Sequence, residues 1–413
     1  MGLFKTEYKR YITVAASNST KAAKKTADFV CSGKHDEQTI QAAVDKCFKT
    51  NLNLFLCNGT YTIEDFYDFG DGGPKTAVRV PNKYRELSII GENHSNTKYN
   101  RNNIGVQFYV PETALNMVGD EEADILRNEW TSRGLGNGAS LRIENVCATL
   151  SNNQHKVRCF DFRRTDRVEV KNMTLSAIGD MNAGLGNPPK PAEVGCIGLT
   201  MTDGSNQSYS NYENVTVSGF YEGIQVGGER PTLKNCGAIM CTYGFTFGNY
   251  ESNCGSNHPI TLITCYDERN INLPLFGEWC GDDDLDGNRI KGEQDITMIS
   301  FSIERFPEQT PGGKLGDCMR EVIPGLWKCK IEFGAQPAWN HTNEKHFQLW
   351  ENDGSGVGIQ TTNNVHKKIC STEERLSYYP TYGQEVFDTD LNRMVICIDV
   401  ENRKWVDYNG NIV

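Results

Sequence analysis

Five short phrases recur along the middle of the chain: ENVCATL from Glu144, KNMTLSA from Lys171, ENVTVSG from Glu213, KNCGAIM from Lys234 and ITCYDER from Ile263, at spacings of 27, 42, 21 and 29 residues. Two more pairs follow the same rhythm, CFDFRRTD from Cys159 with CIGLTMTD from Cys196, and GIQVG from Gly223 with GFTFG from Gly244. The longest spacing holds DMNAGLGNPPKPAEV, Asp180 to Val194, which reads as an inserted loop. A repeat length in the twenties, carried by short alternating strands and unequal loops, matches one coil of a β-solenoid. Each coil buries its inner face only against its neighbours, so stacking is obligatory. A flat sandwich also holds many strands, but it gives no reason for one strand-plus-turn phrase to return at coil length.

An open stack of coils exposes its end, and the N-terminal segment offers a lid. KHDEQTIQAAVDKCFKTNLNLFLCNGTYTI, residues 34–63, reads as a helix followed by a strand. Asp36 is placed to cap that helix, and Ile40, Ala43, Val44 and Cys47 form its apolar face. The strand is broken at the Asn58-Gly59 turn. Beyond Cys329 the repeat weakens, although KIEFGA, KHFQLW and GVGIQT remain β-like, and the tail from Tyr382 reads as a small β-hairpin module. The expected organisation is therefore a first strand and capping helix over 1–65 and a coiled β region over 66–330. A β-rich continuation or rim follows over 331–373, and a C-terminal module over 374–413.

Composition narrows the partners. Of 413 residues, 40 are glycine, and the formal charge of −11 is spread along the chain. No basic tract tracks a phosphate backbone, so nucleic acid is not an expected partner. Local Arg and Lys clusters still leave an anionic glycan open. The 15 cysteines fall mostly inside apolar runs, as at Cys147, Cys159, Cys196, Cys236, Cys241 and Cys265. The N-terminus lacks a secretory apolar segment, and no run approaches the ~18 apolar residues of a membrane span. Reduced, core-packed thiols are expected, with no secretion signal and no membrane partner. No CxxC pair exists and the seven histidines are scattered, so no metal site is expected.

ITVAAS, ADFVCSGKHDEQTIQAAVD and LFLCNGTYTI together resemble the first strand, capping helix and first coil of the pectate-lyase-like right-handed parallel β-helix superfamily. YENVTVSGFYEGIQVG and LKNCGAIMCTYGFTFGN resemble its central rungs, particularly those of phage tail-spike and prophage-encoded proteins. The tail ERLSYYPTYGQEVFDTDLNRMVICIDVENRKWVDYNG, from Glu374, resembles the terminal module of phage fibre proteins, and the similar parts cover roughly two thirds of the chain. The resemblance implies an all-β, right-handed parallel β-helix with an N-terminal capping helix and a small C-terminal β module. It further implies a homotrimeric spike in a virion tail, cytoplasmic before release, that binds or cleaves polysaccharide. Departures are specific. The calcium-binding aspartates and arginine base of the family's lyases cannot be placed. GDDD at Gly281 and RIK at Arg289 echo two polygalacturonase motifs, but the intervening histidine motif is missing and the spacing is too short.

Candidate chemistry concentrates in CYDERNINLPLFGEWCGDDDLDG, Cys265 to Gly287. Hydrolysis of a glycosidic bond wants paired carboxyls about 5 Å apart for retention, or about 6.5–9.5 Å apart for inversion. Adjacent coils about 4.8 Å apart supply such pairs across long sequence gaps. Glu278 follows the apolar LPLFG and neighbours Trp279, a sugar platform that would also desolvate the acid and raise its pKa. Glu278 is the expected proton donor, with Glu268 or Asp282 as its partner. The alternative is that Trp279 only caps a coil edge. Asp282, Asp283, Asp284 and Asp286 cannot all be buried unpaired, so most belong to a hydrated turn. DDDLDG lacks the register and late glutamate of a calcium loop, so no cofactor is expected and calcium is left open without being indicated.

Further substrate contacts are expected from Asp267, Glu222, Tyr243 and Arg163. Glu222 aligns with Tyr243 through the GIQVG/GFTFG repeat, as a groove lining or as plain solenoid surface. Arg163 shares a strand face with Asp161, which suits an internal ion pair as well as an anionic sugar. WNHTNEKHFQLWEN, Trp339 to Asn352, fits a glycan rim or a trimer contact. GxSxG, Walker and dinucleotide motifs are absent from the sequence. The expected activity is an endo-acting glycoside hydrolase. The alternatives are a lyase acting on uronic-acid glycan and a spike that binds receptor glycan without cleaving it.

Overall fold

The computed structural model describes the chain from Arg10 to Val413 apart from residues 83–85, 95–104, 131–139, 164, 166, 180–189, 202–209, 229, 248–259, 272–274, 277–278, 284–288, 293–295, 305–329, 336–345, 352–360, 363–364, 367, 378–384 and 400–401. Its architecture is β-rich, with a 19-stranded sheet and a 7-stranded sheet built largely from parallel pairs. Between residues 140 and 276 the described strands alternate between them. Ser140–Glu144 and Val146–Leu150 lie in the long sheet and Val157–Asp161 in the second; Arg167–Ala177 returns to the long sheet and Ile197–Thr200 to the second. Asn211–Ser218 and Glu222–Val226 repeat the step, as do Gly237–Ile239 and Tyr243–Phe247, then Tyr266–Glu268 and Leu275–Phe276. Each strand of these passes pairs in parallel with its counterpart one pass earlier, which is a β-solenoid-like arrangement.

The repeated phrases are this register. Glu144 pairs with Lys171, Lys171 with Glu213, Glu213 with Lys234 and Lys234 with Ile263. The 42-residue spacing leaves the alignment intact, so the insertion is absorbed between strands. Inside, alternate side chains make one continuous core, with Phe108 stacked on Phe160 and Phe245 edge-on to Phe301.

The asparagine in the phrase has its own physical role. Asn145, Asn172, Asn214 and Asn235 have φ of 59°, 52°, 56° and 52°, the left-handed region that asparagine tolerates better than other side chains. Each bends the long sheet at the same corner, and their side-chain amides link from pass to pass. Asn172 donates to Asn145 at 3.1 Å, Asn214 to Asn172 at 3.0 Å and Asn235 to Asn214 at 3.3 Å. The next corner is Thr264, a β-branched residue held at φ 54°, where the asparagine series ends. Thr264→Asn is expected to relieve that strain and add a link. The gain should be about 1 kcal/mol in urea unfolding, and an unchanged midpoint would count against the account.

The N-terminal helix runs Asp36–Thr50 and buries Ile40, Ala43, Val44 and Cys47, the face expected from its spacing. Asp36 is not its cap. His35 holds the N-cap position in a left-handed conformation without a side-chain capping bond. The Asp36 carboxylate instead accepts from the backbone N–H groups of Gly33 and Thr62, both at 2.9 Å, tying the helix to the first coil. The ten described cysteines are all free and buried. Among the described residues no helix is long and apolar enough to cross a membrane.

Past the coils the pairing turns antiparallel, as Lys330–Ala335 meets His346–Glu351. The tail is more than a hairpin. Lys368–Cys370, Glu385–Asp388, Arg393–Asp399 and Lys404–Asp407 form a four-stranded sheet with a separate small core of Val386, Val395, Cys397 and Trp405. Buried Arg375 donates to buried Asp388 at 2.7 Å and lies over the Trp405 ring, which pins the short helix Thr372–Ser377 to that sheet.

Candidate functional site

Beyond the asparagine corner, the long sheet presents short hydroxyl side chains at its outward positions. One row runs through Thr149, Ser176, Ser218, Ile239, Glu268 and Glu304, each in register with the next. The row beside it holds Thr174, Thr216, Gly237, Tyr266 and Ser302. The Thr149 hydroxyl accepts from the Gln107 amide at 2.9 Å and shares a 2.9 Å hydrogen bond with Ser176, linking three strands of the sheet. Tyr266 lies across Gly237, where a Cβ would come within 1.9 Å of its ring, and its hydroxyl shares a 2.9 Å hydrogen bond with Thr216. An aromatic face is thereby laid flat along the sheet.

At the end of this row, Glu268 on strand Tyr266–Glu268 and Glu304 on strand Ile296–Glu304 are direct register partners on adjacent passes. Parallel neighbours lie about 4.8 Å apart, so two acids are delivered to one line of the sheet by strand spacing alone. Arg269 follows Glu268 at the next left-handed corner, φ 52°. The same alternation corrects the expectation for Asp267. With Tyr266 and Glu268 facing out, Asp267 faces in; it has no exposed surface and lies against the Gly244 backbone. A polymer on the surface cannot touch it.

The other expected residues are dispersed. Glu222 and Tyr243 are register partners on the second sheet, as the repeat indicates. The Glu222 carboxylate accepts from Gln225 at 2.9 Å and Thr246 at 2.7 Å, and Tyr221 packs edge-on to Tyr243 with centroids 5.7 Å apart. Arg163 is engaged internally. It forms a two-pronged pair with buried Asp161, Nε to Oδ1 at 2.9 Å and Nη2 to Oδ2 at 2.7 Å, and its guanidinium lies 5.0 Å from the Trp130 ring centre. An anionic sugar would have to displace that carboxylate, so the ion-pair reading of CFDFRRTD describes this arginine. Glu278 lies outside the described residues, as do Asp284 and Asp286. Trp279 and Asp282 belong to strand Trp279–Asp283, which pairs antiparallel with Arg289–Gly292. The segment read as a turn at Asp282 and Asp283 is thus one arm of a hairpin, with Asp283 opposite Arg289.

Near Arg163 the second sheet carries a dense charge network. Arg158 donates to Asp124 at 2.8 Å and to Glu122 at 2.6 Å, and fully buried Arg127 grips Asp71 through two bonds of 2.7 and 2.8 Å. Burial pushes the Asp124 carboxyl up to about 6, against the pull of Arg158. Burial acts on Asp161 too, but Arg163 and then Arg158 outweigh it and hold that carboxyl below the usual range. Carboxyls driven apart in this way are what acid–base chemistry uses. Here neither Asp124 nor Asp161 has exposed surface. The network is therefore structural, fastening successive strands of the second sheet.

Glu304 was not anticipated, although a signal exists. Ile263-Thr-Cys-Tyr-Asp-Glu268 and Ile299-Ser-Phe-Ser-Ile-Glu304 share the form Ile-Ser/Thr-x-x-x-Glu, and the structure pairs Ile263 with Ile299.

No protein-family model matches the chain, and no curated protein matches it in sequence. Among solved structures, the ORF18 protein of Geobacillus virus E2 aligns over 91% of this chain and 82% of its own, at 9% identity and a TM-score of 0.23. Tailspike protein 3 of bacteriophage CBA120 aligns over 90% of this chain and 67% of its own, at 10% identity and a TM-score of 0.16. Both neighbours come from phages; at these scores the likeness carries no argument about fold or activity.

Proposed function

We propose that this chain is a right-handed parallel β-helix of the tail-spike kind that binds polysaccharide and cleaves it internally as a glycoside hydrolase. The observation that carries the reading is the in-register pair Glu268 and Glu304 on adjacent passes, at the end of a hydroxyl-lined face bearing Tyr266. A strand separation of about 4.8 Å makes the two residues neighbours on one line of the sheet, a spacing of the order that a retaining mechanism needs between its two acids. One carboxylate attacks C1 while the other, protonated, gives its proton to the leaving oxygen. Water then enters, deprotonated by the second group, and releases the sugar with its anomeric configuration kept. Tyr266 offers a sugar-stacking face, and the threonine and serine hydroxyls match the donors and acceptors of a glycan.

Glu278, with Asp282 as partner and Trp279 as platform, is the rival acid set. Glu222 and Tyr243 on the second sheet are candidate glycan contacts away from the pair. The quoted family resemblance supports a virion location and a homotrimer, for which light scattering should give three times the 46.3 kDa chain mass. A lyase is the second reading, favoured by Arg269 one residue past Glu268, because elimination needs a base and a cation near a uronate carboxylate. A panel of capsular, host and plant glycans separates the readings. Retaining hydrolysis yields new reducing ends of unchanged anomeric form by NMR; elimination yields unsaturated, ultraviolet-absorbing ends; a receptor-binding spike retains glycan and yields neither. Unsaturated ends, or binding without any new ends, would overturn the hydrolase reading.

A further inference from the structure

A grouping of metal-ligating side chains sits at the N-terminal lid and shares no residue with the candidate glycan site. His35, Glu37 and Asp65 bring one ligand atom each to within 4.8 Å of one another. His35 and Glu37 come from the start of the capping helix, and Asp65 follows the first coil strand Gly59–Thr62.

Proton bookkeeping shows what the grouping lacks. An uncharged imidazole has one N–H and one lone pair. Here both ring nitrogens face carboxylates: Nε2 lies 3.2 Å from Glu64, and Nδ1 lies 3.0 Å from Asp65 and 3.6 Å from Glu37. With the N–H directed at Glu64, the Nδ1 lone pair points at carboxylate lone pairs. Tyr67 does not resolve this. Its hydroxyl has one proton to share between Glu37 at 3.1 Å and Asp65 at 3.4 Å, while it accepts from Gln38 at 2.9 Å. With an uncharged ring and both carboxyls ionised, three acceptors therefore converge with too few donors. Glu37 cannot swing out to water, because its side chain has no exposed surface and it is held by the Glu64 backbone N–H at 3.1 Å.

We propose that His35 Nδ1, Glu37 Oε1 and Asp65 Oδ2 are ligands of a divalent transition-metal ion of the zinc class, which ties the capping helix to the first coil. One imidazole with two carboxylates suits zinc better than calcium, which takes six to eight oxygens. Glu64 on the far nitrogen reproduces the carboxylate–imidazole–metal arrangement that fixes the tautomer and orients the ring. A water would complete four-coordination. The proposal does not depend on the glycan reading.

The test uses the full chain stripped with a chelator and titrated with zinc chloride slightly above neutral pH, where an imidazole is uncharged. Calorimetry should show one zinc per chain, and the thermal midpoint should rise by a few degrees. His35→Ala and Asp65→Asn should abolish both effects. Cobalt chloride should give a visible absorption band that His35→Ala loses. If those variants fold poorly, Glu64→Gln keeps all three ligands and should weaken zinc binding about 10- to 100-fold. Absence of zinc binding, binding unaltered in the variants, or an equal response to calcium would overturn the proposal.

Discussion

Glu268→Gln and Glu304→Gln are each expected to lower polysaccharide cleavage by about 100- to 10,000-fold, the usual cost of removing a positioned acid or nucleophile. Affinity for the intact glycan should change little, because the amide keeps the size and most of the hydrogen bonding of the acid. Glu268 lies on the outer face of its strand, so the unfolding midpoint should also hold. The comparison with Glu278→Gln is the discriminating one. If Glu278→Gln abolishes turnover while both paired glutamates are dispensable, catalysis belongs to the segment around Trp279 and not to the long sheet. If the paired substitutions fall together and the double variant is no worse than either alone, the two acids act as one unit.

The second large effect concerns stability. Arg127 is wholly buried, and its guanidinium is held by the two-pronged contact with Asp71, the Pro74 carbonyl at 3.0 Å and the Asn128 carbonyl at 2.9 Å, with its Nε 3.8 Å from Asp124. Arg127→Met keeps the stem and removes the charge, leaving the Asp71 carboxylate without its guanidinium partner. Breaking a buried pair from one side costs about 3–5 kcal/mol, and equilibrium urea unfolding should show a loss of that size. A loss under about 1 kcal/mol, the range of exposed pairs, would mean water reaches the site.

The direction with pH is informative. Burial alone would raise the Asp71 carboxyl, but Arg127 and the backbone N–H groups of Trp130 and Gly73 outweigh it, so it stays below its usual value. Its contribution is present above an unfolded value of about 3.9 and is lost as pH falls through the lower folded value. Asp124 acts oppositely. With its folded value raised to about 6, the native state keeps a proton that the unfolded chain releases, so stability falls as pH rises from about 4 towards 6. Asp124→Asn should flatten that decline.

How far the sequence reveals all this depends on which physical rule was in play. The coil register was legible because identical corners need identical phrases: Asn145, Asn172, Asn214 and Asn235 stand at the same place in each. The reason for asparagine there, a left-handed turn plus an amide link, is a tertiary fact that one phrase alone does not display. Within YDE the two-residue period decides everything, placing Glu268 outside and Asp267 in the core, and counting acids without counting parity merged them. Glu304 is harder to see because its phrase ISFSIE shares only the Ile, the Ser/Thr and the Glu with ITCYDE and sits 36 residues beyond it. The charge network of the second sheet was visible only as Asp161 and Arg163. Its other members, Asp71, Asp124, Arg127 and Arg158, meet through stacking of distant strands. His35 and Asp65 are likewise joined only by folding, with no motif spacing to betray them.

The long sheet keeps its register whether consecutive phrases are 21 or 42 residues apart. Rung geometry and loop length are thus independent variables in this chain. A peptide tag, or a loop borrowed from another protein, spliced into the 42-residue interval should leave the pairing of Arg167–Ala177 with Asn211–Ser218 unchanged. The positions of Glu268 and Glu304 would not register its arrival, which makes the chain a chassis on which outer loops can be exchanged while the acid pair stays aligned.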